Sequence, residues 1–348
     1  MNIKRIKYTL LFFVVLFLVF RLSIMIFRLP SYTIQTSGKL YIVSKLSRVV
    51  QVFDLYNGEE IAEIPIDMLS NEAINTKDKN SIVLTNYESQ NGSIVKIINT
   101  RTNKIEKTIE LKDTIKAKGI VTFSEINNVG IIDYVNNNLL VLNIENDSLE
   151  KQIQTKQKTS DLLALHPSKS IAYVTNMKSS SRSVIDLNKN EVVKIIPCEL
   201  TTESIDITPD GSEIWLTNKN ENSITIIDTS THKVIDILPT GNEPLKLKFS
   251  IDGRYCLVAN AKDGSISVYQ QDSKKQIKTI TIRGKNKLLE RILYHTPRPV
   301  NILMHPNGLF AFVSNSNAHE IEVIDMKALT IVSTIGTGKV PDALVFIE

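Results

Sequence analysis

The chain has 348 residues, 42% of them hydrophobic, which is enough to fill the core of one large all-β domain or of two ordinary domains. The formal net charge of +4 is misleading, because the first 28 residues contain five basic residues and no acidic one, while the remainder holds 36 basic and 37 acidic residues. A nearly neutral body lacks the concentrated basic surface that non-specific nucleic-acid binding requires. We therefore expect no nucleic-acid partner.

The N-terminal segment has the pattern of a membrane anchor. Residues 8–27 are apolar except for Arg21 and a few small polar groups, and Lys4, Arg5 and Lys7 precede this run. A helix of about 20 apolar residues spans the hydrocarbon layer, and the preceding positive charges favour a cytoplasmic N-terminus. No small-residue cleavage site follows the run, so we predict an uncleaved signal-anchor helix. This prediction places the rest of the chain on the extracytoplasmic side of the cell membrane, as a single-pass protein.

A short motif recurs along the rest of the chain. It reads Tyr173-Val-Thr-Asn176, and a further short strand ends at Asp186, ten residues after Asn176. The positions equivalent to Asn176 follow one another at spacings of 42, 47, 43, 42, 42 and 55 residues, and they are Ser44, Asn86, Asp133, Asn176, Asn218, Asn260 and Asn315. A period of about 40 residues with four short strands per unit is typical of β-propeller blades. Seven units therefore predict an all-β, seven-bladed propeller.

The fifth unit indicates how each blade folds. Four of its segments have the alternation or the β-branched residues of strands, namely Thr202–Thr208, Glu213–Thr217, Ser223–Ile227 and Lys233–Leu238. Pro209-Asp-Gly211 suits a tight turn between the first two, because proline fixes φ and glycine accepts a positive φ. Recurring aspartates follow the third strands, and we interpret them as turn caps rather than active-site carboxylates; they are Asp186, Asp228 and Asp325.

The two ends of the propeller region complement each other. The first unit begins near Lys39 with its second strand, and residues 342–347 match a first strand. We therefore expect 342–347 to complete blade 1, which removes the open sheet edges at the seam of the ring. The predicted division is residues 1–30, the cytoplasmic tip and signal-anchor transmembrane helix, and residues 31–348, the propeller.

These repeats resemble those of the YVTN-family β-propellers, which include YncE-like periplasmic proteins and surface-layer proteins. The resemblance is carried by Tyr173-Val-Thr-Asn176, by Val184-Ile-Asp186 and by the turn at 209–211, and it covers about residues 38–348. It is weakest in the third unit, where Asp133 replaces the asparagine. The wider group that it implies contains the haem d1 domain of nitrite reductases and the seven-bladed lactonases. Such a repeat indicates the fold and does not determine the chemistry.

The resemblance implies a ligand face formed by the loops between second and third strands and by the crossings between blades. The 55-residue spacing places an insertion, Gly284–Arg298, in the last crossing. Long insertions in a regular array often carry function, although a surface elaboration without a ligand is the alternative. The insertion and the marker loop that follows it supply our ligand-face candidates, which are Lys285, Lys287, Arg291, His295, Arg298 and His319.

Acidic residues near the beginning of the first strands are expected to ring the mouth of the central channel. They are Asp161, Glu203 and Asp342, and Leu245 and Val300 interrupt the ring. Several acids can hold a cation through oxygen ligands, but no ligand set is complete in this ring, and two histidines without a third ligand are a weak signal for metal or haem. We therefore expect no metal and no cofactor.

The first strand of the sixth unit carries Lys246 and Lys248, which is unusual for an inner strand. Asp206 occupies the position that matches Lys248 one blade earlier. Because a lysine removed from water needs a partner, we predict an ion pair between Lys248 and Asp206 across the blade interface.

Three functional hypotheses follow. The first is a binding or scaffold module that presents its loop face to a protein or cell-envelope ligand. The second is a propeller enzyme, either a lactonase-like hydrolase or a haem-d1-like oxidoreductase, which requires converging groups with shifted pKa values at the channel mouth. The third is a structural role in a surface layer. The sequence contains no nucleophile elbow, zinc-protease motif, dinucleotide-binding motif or P-loop, and we favour the first hypothesis.

Overall fold

The computed structural model of the chain describes residues 12–19, 32–70, 72–86, 93–198, 202–282 and 297–348. Within these residues the chain forms seven antiparallel four-stranded sheets, whose innermost strands contact one another in sequence around a ring. The predicted all-β, seven-bladed propeller is confirmed.

Each blade is a sheet of four strands that runs from the centre of the ring outwards. From the innermost strand, blade 1 contains β28 (Pro341–Ile347), β1 (Lys39–Ser44), β2 (Val49–Asp54) and β3 (Glu59–Pro65). Blade 2 contains β4 (Glu72–Asn75), β5 (Ser81–Thr85), β6 (Ile94–Asn99) and β7 (Lys104–Glu110). Blade 3 contains β8 (Ala117–Thr122), β9 (Asn128–Asp133), β10 (Asn138–Asn143) and β11 (Ser148–Gln154). Blade 4 contains β12 (Ser160–Leu165), β13 (Ile171–Asn176), β14 (Ser181–Asp186) and β15 (Glu191–Pro197).

The remaining blades follow the same order. Blade 5 contains β16 (Thr202–Ile207), β17 (Glu213–Asn218), β18 (Ser223–Asp228) and β19 (Lys233–Pro239). Blade 6 contains β20 (Pro244–Phe249), β21 (Tyr255–Asn260), β22 (Ser265–Gln270) and β23 (Lys275–Thr281). Blade 7 contains β24 (Pro299–Met304), β25 (Phe310–Asn315), β26 (Glu320–Asp325) and β27 (Thr330–Gly336). A single 3₁₀ turn, Met177–Ser179, lies between β13 and β14.

The ring has two faces that are built differently. One carries the turns that join first to second strands and third to fourth strands, and we call it the turn face. The other carries the loops that join second to third strands and the crossings between blades, and we call it the mouth face. Because the strands of a blade alternate in direction, every first strand begins at the mouth face.

Burial follows the position of a strand within its blade. The middle strands are covered on both sides by neighbouring blades, so that β18 is buried along its whole length except for Asp228. Such strands are rich in β-branched residues, which pack well on a pleated surface. The outermost strands face water, and β19 is exposed over Lys233–Ile237.

The apolar core is divided among the blade interfaces. Seven clusters of buried residues occur, and each lies between two neighbouring blades. Between blades 5 and 6, the Trp215 ring meets Phe249 edge-on at 5.3 Å between ring centroids. Within blade 1, β28 pairs antiparallel with β1, so main-chain hydrogen bonds join the two ends of the propeller region.

The recurring aspartates are turn caps, as the sequence predicts. Asp228 Oδ1 accepts the N–H groups of Ser230 at 3.1 Å and Thr231 at 2.7 Å. Asp186 and Asp325 accept the equivalent N–H groups in blades 4 and 7. These carboxylates therefore serve the hairpin turns.

The predicted pair of Lys248 and Asp206 is also confirmed. The Lys248 Nζ lies 3.0 Å from Asp206 Oδ1, and Asp206 Oδ2 accepts the N–H of Phe249 at 3.1 Å. The lysine side chain is 40% exposed, which is more than we expected for a residue on an inner strand. The electrostatic attraction of the pair therefore contributes little to the free energy of folding.

The structure describes only part of the N-terminal segment. Residues 12–19 are helical and exposed, and the rest of the predicted anchor, residues 8–11 and 20–27, lies outside the described residues. In the described part of the chain, no helix has the length and apolar character needed to cross a membrane.

The marker asparagines of blades 4 to 7 are fully buried and bridge two strands. Asn218 Nδ2 donates to Ser223 Oγ at 2.9 Å and to Thr225 Oγ1 at 2.8 Å. The amides of Asn176 and Asn260 make the same pair of contacts to hydroxyls five and seven residues later. The asparagine thus ties the second strand to the third beneath the loop that joins them.

Substitution of Asn218 by alanine should lower the free energy of unfolding by about 1–3 kcal/mol, because two buried hydroxyls lose their partner. The matched control is Asn188→Ala, an exposed turn residue, which should change it by less than about 0.5 kcal/mol. Urea denaturation of both variants measures the difference. Equal midpoints for the two variants would show that the buried bridge contributes no stability.

Candidate functional site at the channel mouth

Charged residues from five successive blades begin the first strands at the mouth face. In ring order from blade 1 they are Asp342, Glu72, Lys118, Asp161 and Glu203. Blades 6 and 7 place Leu245 and Val300 at this position. Lys246, one residue further along β20, adds a second lysine to the cluster.

Two adjoining cavities open among these side chains. The larger, about 220 Å³, is lined by Glu72, Lys118, Asp161 and Glu203 together with three uncharged residues. The smaller, about 90 Å³, shares Glu72 and Glu203 and is also lined by Lys246. The acids and lysines of different blades therefore converge on one space of small-molecule or side-chain size.

Burial makes these carboxylates harder to ionise. It raises the pKa of Asp342 to about 6, with a further contribution from Glu72, against the lowering effect of Lys45 and Lys246. Burial likewise raises the pKa of Glu72 and of Asp161, although Lys246 and Lys118 respectively offset part of the effect. The cluster therefore holds carboxylates that the surrounding bases compensate only in part.

Ion pairs link the remaining charges of the mouth. Lys118 Nζ lies 2.6 Å from Asp161 Oδ1. Glu243 binds Arg298 through two hydrogen bonds of 2.8 and 3.0 Å, and Lys219 lies 3.6 Å from Glu243 and 3.4 Å from Glu203. Blades 5, 6 and 7 are thus connected at the mouth through Glu243.

The crossings that deliver these residues are held in an unusual backbone conformation. Glu243 and Val340, which precede β20 and β28, both have φ of +58°, a region that residues other than glycine seldom adopt and β-branched residues such as valine least of all. The Asn222 side chain accepts the Glu243 N–H at 2.9 Å, and His319 Nδ1 accepts the Val340 N–H at 3.1 Å. A side chain from the marker loop therefore fixes the crossing that places Asp342 in the mouth.

The sequence-based candidates fall into two groups. Lys285, Lys287, Arg291 and His295 lie outside the described residues. Arg298 and His319 lie on the mouth face, where Arg298 clamps Glu243 and His319 supports Val340. Asp161 and Glu203 line the larger of the two cavities, and Asp342 lies close enough to Glu72 for the two carboxyl groups to interact.

Sequence reasoning missed Glu72, Lys118 and Lys246 as members of the site. Glu72 is the first residue of its strand, whereas Asp161, Glu203 and Asp342 are each the second residue of theirs, so blade 2 departs from the register of these blades by one residue. Counting back 15 residues from the marker finds Lys118 from Asp133, but the same count from Asn86 ends at Asn71, one residue before Glu72. No group of three or more His, Cys, Asp or Glu side chains that could hold a metal ion occurs among the described residues.

The fold and its mouth define a seven-bladed β-propeller with an ionisable channel entrance. Residues 129–246 match the family model described as YNCE-like beta-propeller, which confirms the resemblance over blades 4 and 5, most of blade 3 and the start of blade 6. The structure is also similar to a chain of Kuenenia stuttgartiensis hydrazine synthase, with a TM-score of 0.70 and 17% sequence identity, over 85% of this chain and 96% of that one. At this identity the likeness concerns the fold alone. No curated protein matches the sequence at a significant level.

Replacement of Asp342 by asparagine should stabilise the protein at neutral pH and not at acidic pH. The pKa of about 6 in the folded chain exceeds the usual 3.8, so the folded chain binds this proton more tightly than the unfolded chain does. Ionisation therefore costs stability as the pH rises from about 4 to above 6, by at most about 3 kcal/mol.

Urea unfolding of the wild type and Asp342→Asn between pH 4 and pH 8 measures this effect. The gap between the two should be small at pH 4, should widen through pH 6 and should then level off. A gap that does not depend on pH would contradict the shifted pKa.

Proposed function

We propose that this chain is a membrane-tethered binding propeller that engages a protein or cell-envelope ligand through its mouth face on the extracytoplasmic side. One observation carries the proposal: Glu72, Asp161, Asp342 and Lys246 converge on the channel mouth with carboxyl pKa values raised by burial. Partly compensated charges in a preformed cavity cost folding stability, and a ligand of complementary charge offsets that cost.

The architecture supports a recognition role. Glu72 and Lys246 are paired in their sheets with Thr85 and Ala259. The other charged residues lie at register shifts between paired residues of their first strands, so sheet pairing holds the chain on both sides of each; they are Lys118, Asp161, Glu203 and Asp342. Such preorganised sites bind with little loss of conformational freedom. The apolar run of residues 8–27, with basic residues before it, supports the membrane tether.

Photo-crosslinking in the native membrane tests the proposal with a matched pair of leucines. Leu46, on the mouth face, is 60% exposed, and Leu309, on the turn face, is 57% exposed. A photo-crosslinking amino acid at position 46 should yield a discrete protein or envelope adduct, and the same group at 309 should not. The Glu72→Gln, Asp342→Asn double variant should weaken the adduct at 46. Adducts of equal strength from both faces, or no response to the double variant, would refute the proposal.

A second candidate, hydrolysis at the same mouth, is favoured by the pKa of about 6 at Asp342. A carboxyl group that titrates near neutral pH can accept and return a proton during a reaction. The purified full-length chain would then hydrolyse lactones, and Asp342→Asn would reduce the rate at least about 100-fold. Activity that survives this substitution, or no activity in the wild type, removes the candidate.

A further inference from the structure

The chain enters the propeller at the turn face. Residues 32–36 lie across the seam between blades 7 and 1, where the Tyr32 hydroxyl donates to the carbonyl oxygen of Leu55. Thr33 N donates to Ser333 Oγ at 3.2 Å, and Thr36 Oγ1 lies 3.1 Å from His305 Nε2. His305 belongs to the turn after β24 and Leu55 to the turn after β2. Both ends of residues 32–36, which we call the strap, therefore contact the turn face.

The strap is packed into the folded propeller. Ile34 is buried in the cluster between blades 7 and 1, and Tyr32 packs against the same cluster. Gly58 has φ of +74°, and a side chain there would overlap the Tyr32 ring. The exit point of the N-terminal segment is therefore fixed relative to the ring.

Large apolar side chains surround this exit point and face water. They are Ile251 in blade 6, Leu309 in blade 7 and Tyr56 in blade 1, with 51%, 57% and 66% of each residue exposed. Ile251 lies directly beside the blade 7 turn, since its Cβ would be 3.9 Å from a Cβ added at Gly308. Three neighbouring blades thus each carry an exposed apolar residue on the turn face near the strap, and we call these three residues the rim.

A polar groove continues the turn face beyond this rim. It has a volume of about 850 Å³ and runs between the turns of blades 2, 3 and 4. Its walls carry Lys77, Lys79, Lys151 and Lys169 against Glu125 and Glu150. Lys79 pairs with Glu348, whereas Lys77 and Lys169 are exposed. Lysines therefore outnumber acidic residues within this groove, whereas the capping aspartates, such as Asp228, carry negative charge elsewhere on the turn face.

We infer that the turn face lies on the phospholipid bilayer, with Ile251, Leu309 and Tyr56 at the lipid interface and the mouth face directed away from it. This inference rests on the membrane tether of the proposed function. The apolar sequence ends at Phe27, and the five residue steps from there to Tyr32 span at most about 18 Å. The tether therefore keeps the rim within reach of the headgroups, where aromatic and aliphatic side chains insert favourably.

Tryptophan fluorescence of the full-length chain in vesicles tests the inference. Leu309→Trp and Leu46→Trp place the same reporter on opposite faces, and the native Trp215 is fully buried and common to both. The vesicles contain phosphatidylcholine and phosphatidylglycerol, with or without bromine on the acyl chains. We expect the brominated lipid to quench Leu309→Trp well beyond the wild type and to leave Leu46→Trp at the wild-type level. Tyr56→Trp should behave as Leu309→Trp does.

The outcomes separate the inference from the tether. Flotation of the chain with the vesicles establishes tethering in the same samples. If the chain floats and Leu309→Trp and Tyr56→Trp are quenched no more than Leu46→Trp, the inference is overturned and the tether stands. If the chain does not float, the tether itself fails. Unchanged urea midpoints for the variants show that the reporters sit on folded protein.

Discussion

The fold depends on a buried asparagine amide at the end of the second strand in blades 4 to 7. In blades 4 to 6 its Nδ2 donates to a hydroxyl seven residues later, at 2.8 to 2.9 Å. In blade 7 the acceptor is a Glu322 carboxylate oxygen, at 3.4 Å. An unpaired amide in this position would lose its hydration without compensation, so the loop above it is constrained to return the third strand in one register.

The carbonyl oxygen of the same asparagine extends this constraint to the crossings. Asn260 Oδ1 accepts the Thr240 hydroxyl at 3.1 Å, and Asn315 Oδ1 accepts the Arg298 N–H at 3.0 Å. Both partners belong to crossings that lead from one blade to the next. The amide therefore helps to locate the start of the first strand in blades 6 and 7. In blade 4, Asn176 Oδ1 accepts the Ser160 hydroxyl at 2.8 Å, so the same bridge holds the residue directly before Asp161.

The dependence of the fold on contacts between residues close in the chain explains what could be predicted from the sequence. The strands, the turns and the aspartate caps follow from interactions between residues close in the chain, and the pattern around Tyr173 and Asn176 specifies them. The pairing of Lys248 with Asp206 was also accessible, because a fixed period places matching positions of adjacent blades side by side. The cluster of Glu72, Asp161 and Lys246 was only partly accessible. It depends on which side chains of distant blades meet across the channel, and on crossings of unequal length that hide the register in blade 2.

The two faces show why residue type alone does not identify a site. On the turn face the hydroxyl of Ser230 and the N–H of Thr231 hold the pKa of Asp228 down, to about 2, and hydrogen bonds from Thr208 and Ser212 lower the pKa of Asp210. On the mouth face burial raises the pKa of Asp342, Glu72 and Asp161. The first group is stabilised as anions by local donors, so its charges complete the turns. The second group is buried beside lysines that compensate its negative charge only in part. The free-energy cost of ionising these buried carboxyl groups is therefore retained at the mouth face, and the groups stay available for a ligand or a proton.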